Sequence, residues 1–346
     1  MRCSAMRRTR RPDVWGSLRR PRAVVAGGLA LALLGGTAAF AAASTEAMTA
    51  HVATARPMVD QPLEIDGQVT GASQYPVMVM ASRDDSTGTG TPVGMPVQTD
   101  GQGNFTISDT PPARGQVTYH LSADGGAVMT DVQVQVAGKT TALTIKAQPT
   151  TANAGGTVHV TAHLDSPTTD RTVTFSAQPY QGARQQFDSG PVDANGNRTA
   201  SHVVQSRTTF IASFAGDSTY APANAVVTVR VRAALDEQLR GGYGTRDGYR
   251  MYHRNANVNV FIHMLPEYKG ACVIMRAQRR SNGAWHSAAV SGCGGDAIRT
   301  NSAGEVIAQL QPPHVADVPY RLRAEFRGSS SLGAGHGPWL LLRFHH

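Results

Sequence analysis

The stretch "FIASFAGDSTYAPANAVVTVRV", Phe210 to Val231, admits two readings. Gly216-Asp217-Ser218 has the look of a nucleophilic serine held in a tight turn. The flanks say otherwise. An apolar run ends at Phe214, and Val227-Thr228-Val229-Arg230-Val231 alternates apolar and polar residues. Alternation of period two marks a half-buried strand, so the whole stretch also reads as strand, turn, strand. A catalytic serine needs a base and an orienting acid at fixed geometry and, in the nucleophile elbow, a helix after the turn. Helical periodicity is almost absent from this chain, Ala234 to Leu239 being the one short candidate. Ser218 is therefore expected to be a turn residue.

Working outward, the same pattern recurs. "VQVQV" (Val132 to Val136) puts valines on one face and glutamines on the other. In "YRLRAEFR", Tyr320, Leu322, Ala324 and Phe326 face in while Arg321, Arg323, Glu325 and Arg327 face out. The strands recur in register. "GTVHVTAHL" from Gly156 matches "ANVNVFIHML" from Ala256, with Val158, Val160 and His163 lying 100 residues before Val258, Val260 and His263. Phe214-Ala215-Gly216-Asp217-Ser218 matches Phe326-Arg327-Gly328-Ser329-Ser330, 112 residues on, and Gly125 stands in a looser first copy. A turn glycine precedes a strand in each copy: Gly103, Gly196 and Gly304. Repeats of this length, built of short strands and Gly/Asn/Asp turns, predict an all-β chain of three tandem β-sandwiches. Their expected spans are 46–137, 138–233 and 234–346, joined by short linkers.

The second copy, with "RTVTF" (Arg171 to Phe175), "DANGN" (Asp193 to Asn197) and "FAGDSTYAPA" ahead of "VVTVRV", resembles a bacterial immunoglobulin-like repeat of secreted and surface proteins. The motif covers the second span; "GNFTISDTPPARGQVTYHLSADGG" (Gly103 to Gly126) and "PYRLRAEFRGSSSL" (Pro319 to Leu332) are similar to it in the other two. The resemblance implies an immunoglobulin-like sandwich with a binding, adhesion or spacer role and no catalysis. Unlike antibody domains, the chain has no cysteine pair about 60 residues apart to join the sheets.

The first 43 residues differ from the rest. Arginines crowd Arg2 to Arg22, an uncharged Ala/Gly/Leu-rich run follows from Ala23 to Ala43, and Ala39-Phe40-Ala41 fits a cleavage site. This is the plan of a secretory signal peptide, and an uncleaved membrane anchor is the alternative. No later segment is long and apolar enough to cross a membrane. The leader holds 8 of the 32 basic residues and one of the 24 acidic ones, so the net charge of +8 falls to +1 without it. That balance removes most of the case for a nucleic-acid partner, and none is expected. What remains is uneven, with 13 basic and 8 acidic side chains after Ala233. A secreted or cell-envelope location follows from the leader.

Cysteine usage agrees with export: outside the leader only Cys272 and Cys293 remain, an even number in an oxidising compartment and so an expected disulfide. Between them, Asn282-Gly283 is a strong two-residue hairpin signal. A hairpin centred there sets Cys272 directly opposite Cys293, at a non-hydrogen-bonded pair where side chains come closest. It also sets Trp285 opposite Arg280. A bulge in the arm would shift that register. The third copy's extra length is expected in this hairpin.

The remaining polar residues divide between turns and one face. His159 and His163 are four apart on a strand, about 13 Å at 3.3 Å per residue, too far for one metal ion. Asp193-Ala194-Asn195-Gly196-Asn197 has the composition of a calcium loop, but Val204 stands where the closing glutamate is needed. No cofactor, metal site or catalytic residue is expected. The candidate binding face gathers Arg276, Arg280, Trp285, Arg321, Arg323 and Arg327, with Arg279 beside them. It suits an acidic envelope polymer or an acidic protein partner, against the plain alternative of a solvated basic face. The competing functional reading is a carbohydrate-active or hydrolytic enzyme whose loops in the third copy would use Asp247, His253, Glu267 and His286.

Overall fold

The computed structural model describes Thr45–His346 apart from residues 73, 167–169, 292 and 294–297, and the expected leader lies outside the described residues. Thr45–His346 forms one compact unit. Among the described residues, no helix is long and apolar enough to cross a membrane.

Strands fall into three consecutive sets, each a pair of sheets. In the first set, Ala47–Val52, Leu63–Thr70 and Asn104–Asp109 form one sheet, and Gly88–Pro92, Met78–Asp85, Gly115–Ala123 and Val128–Val136 the other. The second set pairs Leu143–Gln148, Gly156–Leu164 and Asn197–Val204 against Gln185–Pro191, Thr172–Pro179, Thr208–Phe214 and Ala223–Arg232. The third pairs Ala234–Arg240, Val258–Leu265 and Glu305–Leu310 against Ala284–Val290, Cys272–Ser281, Pro319–Phe326 and Leu340–His345. Each set sends its first, second and fifth main strands to one sheet and the third, fourth, sixth and seventh to the other, an immunoglobulin-like sandwich. Tyr249–His253 adds a parallel strand to the outer edge of the third set.

Alternation places the core as the pattern requires. Val158, Val160, Ala162 and Leu164 are wholly buried on one strand, and Phe175 and Phe210 face them from the opposite sheet. Copies agree in register as well as order: Phe175 lies opposite Ala212, and Met275, 100 residues on, lies opposite Ala324, 112 residues on. They agree in turn chemistry too. Asp100, Asp193 and Asn301 each use Oδ1 to accept the amide N–H groups two and four residues ahead, at 2.8–2.9 Å. A short polar side chain that bonds its own backbone forward stabilises a turn locally.

Two expectations change. Ala234 to Leu239, the helical candidate, is the strand Ala234–Arg240, paired antiparallel with Val258–Leu265. Leu235, Glu237 and Leu239 point inward at period two, and the long-range pairing overrides local propensity. The disulfide Cys272–Cys293 is present, with Cα atoms 5.8 Å apart, and the hairpin turns at Asn282 (φ 50°) and Gly283 (φ 79°). Arg280 pairs with Trp285 as expected, but the register shifts between Ala277 and Gln278, leaving Ala288 with no residue opposite it in the ladder. The ladder ends at Val290, so Cys293 reaches Cys272 from beyond it, and Cys272 pairs along its backbone with Arg299. The third copy's extra length lies outside the hairpin, which both copies possess. Of its twelve extra residues, eight precede Glu305, which lies opposite His263 as Asn197 lies opposite His163, chiefly in 291–304 against 192–196, and four follow it, around 311–318 against 205–207.

Buried side chains form two clusters. One is confined to the first set, from Met48 to Val136. The other runs without a break through the second and third, from Leu143 to Phe344.

Candidate binding face

On Pro319–Phe326, inward Tyr320, Leu322, Ala324 and Phe326 leave Arg321, Arg323 and Glu325 on the outer surface of the sheet. Register then decides their neighbours. Gln278 lies opposite Arg321 and Arg276 opposite Arg323 on Cys272–Ser281, and Trp285 comes from the next strand out. The result is a stacked column. The Arg321 guanidinium lies 4.5 Å from the Trp285 ring centroid and 4.1 Å from that of Trp339, and Arg323 lies 4.5 Å from Trp339. Arg321 Nε donates to Gln278 Oε1 at 2.7 Å. Glu325 ends the column, accepting from Arg323 at 2.6 Å and Arg276 at 2.8 Å. Burial raises the Glu325 pKa, yet these donors outweigh it and hold the carboxyl below its ordinary value. Each guanidinium–indole contact contributes about 0.5–2 kcal/mol.

Trp339 owes its place to a break in the last strand. Gly335–His336 pairs with Phe326 and Glu325, and Leu340–His345 resumes opposite Leu322 to Pro319. Between them, Gly337 N–H donates to Ala324 O, and the Ala324 N–H is taken by Glu237 Oε1 at 2.8 Å. A Cβ at Gly337 would overlap Glu237 Oε1, so glycine is required for this approach. Glu237 is 5% exposed and its Oε2 has no hydrogen-bond partner. Burial, the largest influence, pushes its pKa up to about 7 despite the Ala324 N–H and the charge of Arg323.

The structure thus brings Arg276, Arg280, Trp285, Arg321 and Arg323 to one face. Arg280 is exposed opposite Trp285, whose ring is covered instead by Arg321. Arg327 stands apart, exposed beyond the strand end, in a cleft of about 920 Å³ that Arg230, Arg232 and His336 also line. Sequence reasoning missed Trp339 and Glu237. The signal for Trp339 was available: Gly337-Pro338 just before a final strand marks a break, and a second tryptophan near an Arg-x-Arg strand invites stacking.

Ser218 sits in a turn, and its carbonyl accepts the Arg114 N–H at 2.7 Å. Asp217 Oδ1 accepts from Thr219 and Tyr220, and Oδ2 from Arg171 at 2.7 Å. Ser329, its match in the third copy, accepts from Ser331 and Leu332 at the same two offsets. Asp247 lies at a turn with φ 50°, the His253 ring lies tilted against that of Tyr243 with centroids 4.8 Å apart, and His286 lies 3.2 Å from the Ser281 carbonyl. All three and Glu267 are exposed. Among the described residues, no hydrogen bond or ion pair joins any two of these four.

No protein-family model matches the chain, and no curated protein matches it. Solved structures do. The chain is similar to a tetra-tandem repeat from the extending region of a large adhesion protein, at 15% identity and a TM-score of 0.48 over 85% of this chain and 74% of that one. It is similar to invasin, described as a bacterial integrin-binding protein, at 13% identity and a TM-score of 0.28 over 86% and 60%. It is also similar to the Yersinia pseudotuberculosis adhesin InvE, at 16% identity and a TM-score of 0.30 over 53% and 58%.

Proposed function

We propose that the chain is a non-catalytic, exported protein of three tandem immunoglobulin-like domains, 46–137, 138–233 and 234–346, with residues 1–43 as the leader that takes it to the cell envelope or the medium. Its third domain binds an acidic envelope polymer through the Arg/Trp column. The observation that carries this reading is the stacked order Trp285–Arg321–Trp339–Arg323, with one carboxylate, Glu325, set against Arg276 and Arg323. Arg321, held by two indole rings, and Arg323, held by Trp339 and Glu325, have lost rotamer freedom already, so a ligand meets a cationic, aromatic surface at reduced entropic cost. Exposed Arg280, on the same side of the sheet as the column, suits the carboxylates of such a polymer.

Substituting Arg321 or Arg323 would dismantle the column itself, so the exposed positions make the sharper test. Thr45–His346 is incubated with isolated cell envelopes, with polygalacturonate as the defined acidic glycan and polyglutamate as the acidic peptide arm. Retention by envelopes and polygalacturonate is expected to fall at least tenfold in Arg280→Glu with the melting temperature unchanged, and to weaken with salt. Unchanged retention in that variant, or preference for polyglutamate, contradicts the glycan reading. Turnover of the polygalacturonate contradicts the non-catalytic one.

A further inference from the structure

Strands of the second and third sandwiches each bring arginine to the place where the two meet. In Ala223–Arg232, Val229 and Val231 are buried, and Arg230 and Arg232 face out. At the end of Pro319–Phe326, Phe326 is buried and Arg327, the next residue, is exposed. Arg232 forms an isolated parallel bridge with Gly333. A Cβ at Gly333 would stand 3.4 Å from Arg232 Cγ, so the arginine's stem lies against the third sandwich.

All three arginines line the cleft of about 920 Å³ between these sandwiches. Glu325 is the one carboxylate in its lining, and it is already held by Arg323 and Arg276. Among the described residues, no acidic side chain lies within ion-pair distance of Arg230, Arg232 or Arg327. A concave surface lined by one sign of charge focuses the field and concentrates counter-ions. Beside the arginines stand neutral hydrogen-bonding groups. Thr151 lies opposite Arg230 and Asn153 opposite Arg232 in a parallel ladder, and both line the cleft.

Glu325 belongs to two places at once. It ends the Arg/Trp column, and it lines the cleft. The outer face of the third sandwich therefore runs from Arg321 through Arg323 and Glu325 to Arg327, about 20 Å at 3.3 Å per residue. Arg230 and Arg232 carry the charge onward to the second sandwich. The core that passes through this junction fixes the two halves relative to each other. We propose that column and cleft form one track for a single acidic glycan chain, with the column holding one stretch of it and the cleft the next. This rests on the reading of the column as a glycan site. Arginines spaced along the track suit successive carboxylates, and Thr151 and Asn153 suit the hydroxyls between them. Two footholds on one chain multiply affinity without any new contact, provided that the chain is long enough to reach both.

The test compares trigalacturonate with polygalacturonate on Thr45–His346 by calorimetry. The polymer's advantage over the trimer is expected to fall at least tenfold in Arg230→Glu/Arg232→Glu, with trimer binding within twofold of the parent and the melting temperature retained. Arg56→Glu/Lys146→Glu makes the same charge change at exposed positions outside the cleft and is expected to leave that advantage unchanged. Arg280→Glu is expected to weaken both ligands, because it strikes the stretch that the trimer occupies. An Arg230→Glu/Arg232→Glu chain that keeps the polymer's advantage overturns the track while leaving the column reading intact. Equal loss of trimer and polymer in that variant also overturns it, and would make the cleft a separate anion site. If Arg280→Glu weakens neither ligand, the column reading falls and the track falls with it.

Discussion

The junction between the first and second sandwiches and the junction between the second and third use one device with different contents. In both, a turn of the later sandwich receives an amide N–H from the arginine that precedes the sixth strand of the earlier one: Arg114 to Ser218 O at 2.7 Å and Arg207 to Ser331 O at 2.8 Å. In both, the linker runs beside that turn as an isolated parallel bridge, Lys139 to Tyr220 and Arg232 to Gly333. The first junction is otherwise polar. Arg114 Nε donates to Asp217 O and Lys139 pairs with Asp60 at 2.8 Å. The second is apolar: Val231, Ala233, Leu235, Phe326 and Leu332 are buried there in a core that passes through it. The repeat supplies the docking geometry, and the side chains around it set how tightly neighbours are coupled. Gly216-Asp217-Ser218, the stretch with the look of a reactive serine, belongs to a junction.

The largest expected effect comes from emptying the apolar junction. Leu332→Ala is expected to destabilise the second and third sandwiches together by about 2–5 kcal/mol, leaving the first unaffected. Trp285 and Trp339, the tryptophans beyond the leader, report this in denaturant titrations, and amide exchange reports the second sandwich. Independent loss of the third alone would break the contrast. Glu237 sharpens it through pH. Its folded pKa of about 7 lies above the unfolded value of about 4.3. The stability this difference confers is present in full below pH 4.3 and lost as pH rises through 7, an amount of about 3–4 kcal/mol. Between pH 5 and 8 the tryptophan-monitored transition of the parent is expected to weaken, and that of Glu237→Gln to stay flatter.

At the polar junction the effects shrink. Asp217→Ala removes the acceptor of two turn amides and of Arg171 and is expected to cost about 1–3 kcal/mol. Limited proteolysis should accelerate near Gly138, and the tryptophan transition, which follows the second and third sandwiches together, should shift by the same amount. Lys139→Ala breaks an exposed pair and is expected to change stability by less than about 1 kcal/mol.

How much of this was legible depended on whether the governing interaction was local. The Asn282-Gly283 turn needs positive φ at two adjacent residues, and the dipeptide announces it. The strands of the Phe210–Val231 stretch were readable because alternation records which face is buried. The bulge at Ala288 was not readable, because a bulge answers to twist and to strands on both sides of the arm. Ala234–Arg240 misled because a helix and a short edge strand place leucine and alanine alike until the partner strand is known. The Arg/Trp column was half legible: alternation set Arg321 and Arg323 outside, but Trp339 arrives through a break whose cause, Glu237, lies far earlier in the chain. The polar network inside the first sandwich, where Arg83 bonds Asp85 and Asp109 and Asp109 accepts from Tyr119, left no trace in the pattern because it interrupts the alternation with charges.

Residue-resolved amide exchange of Thr45–His346 across a denaturant series tests the central claim most directly. The account expects two opening units: the first sandwich by itself, and the second and third with a common free energy across the Val231–Leu235 and Phe326–Leu332 segments. Three unrelated free energies, or a first sandwich that opens together with the second, would contradict it.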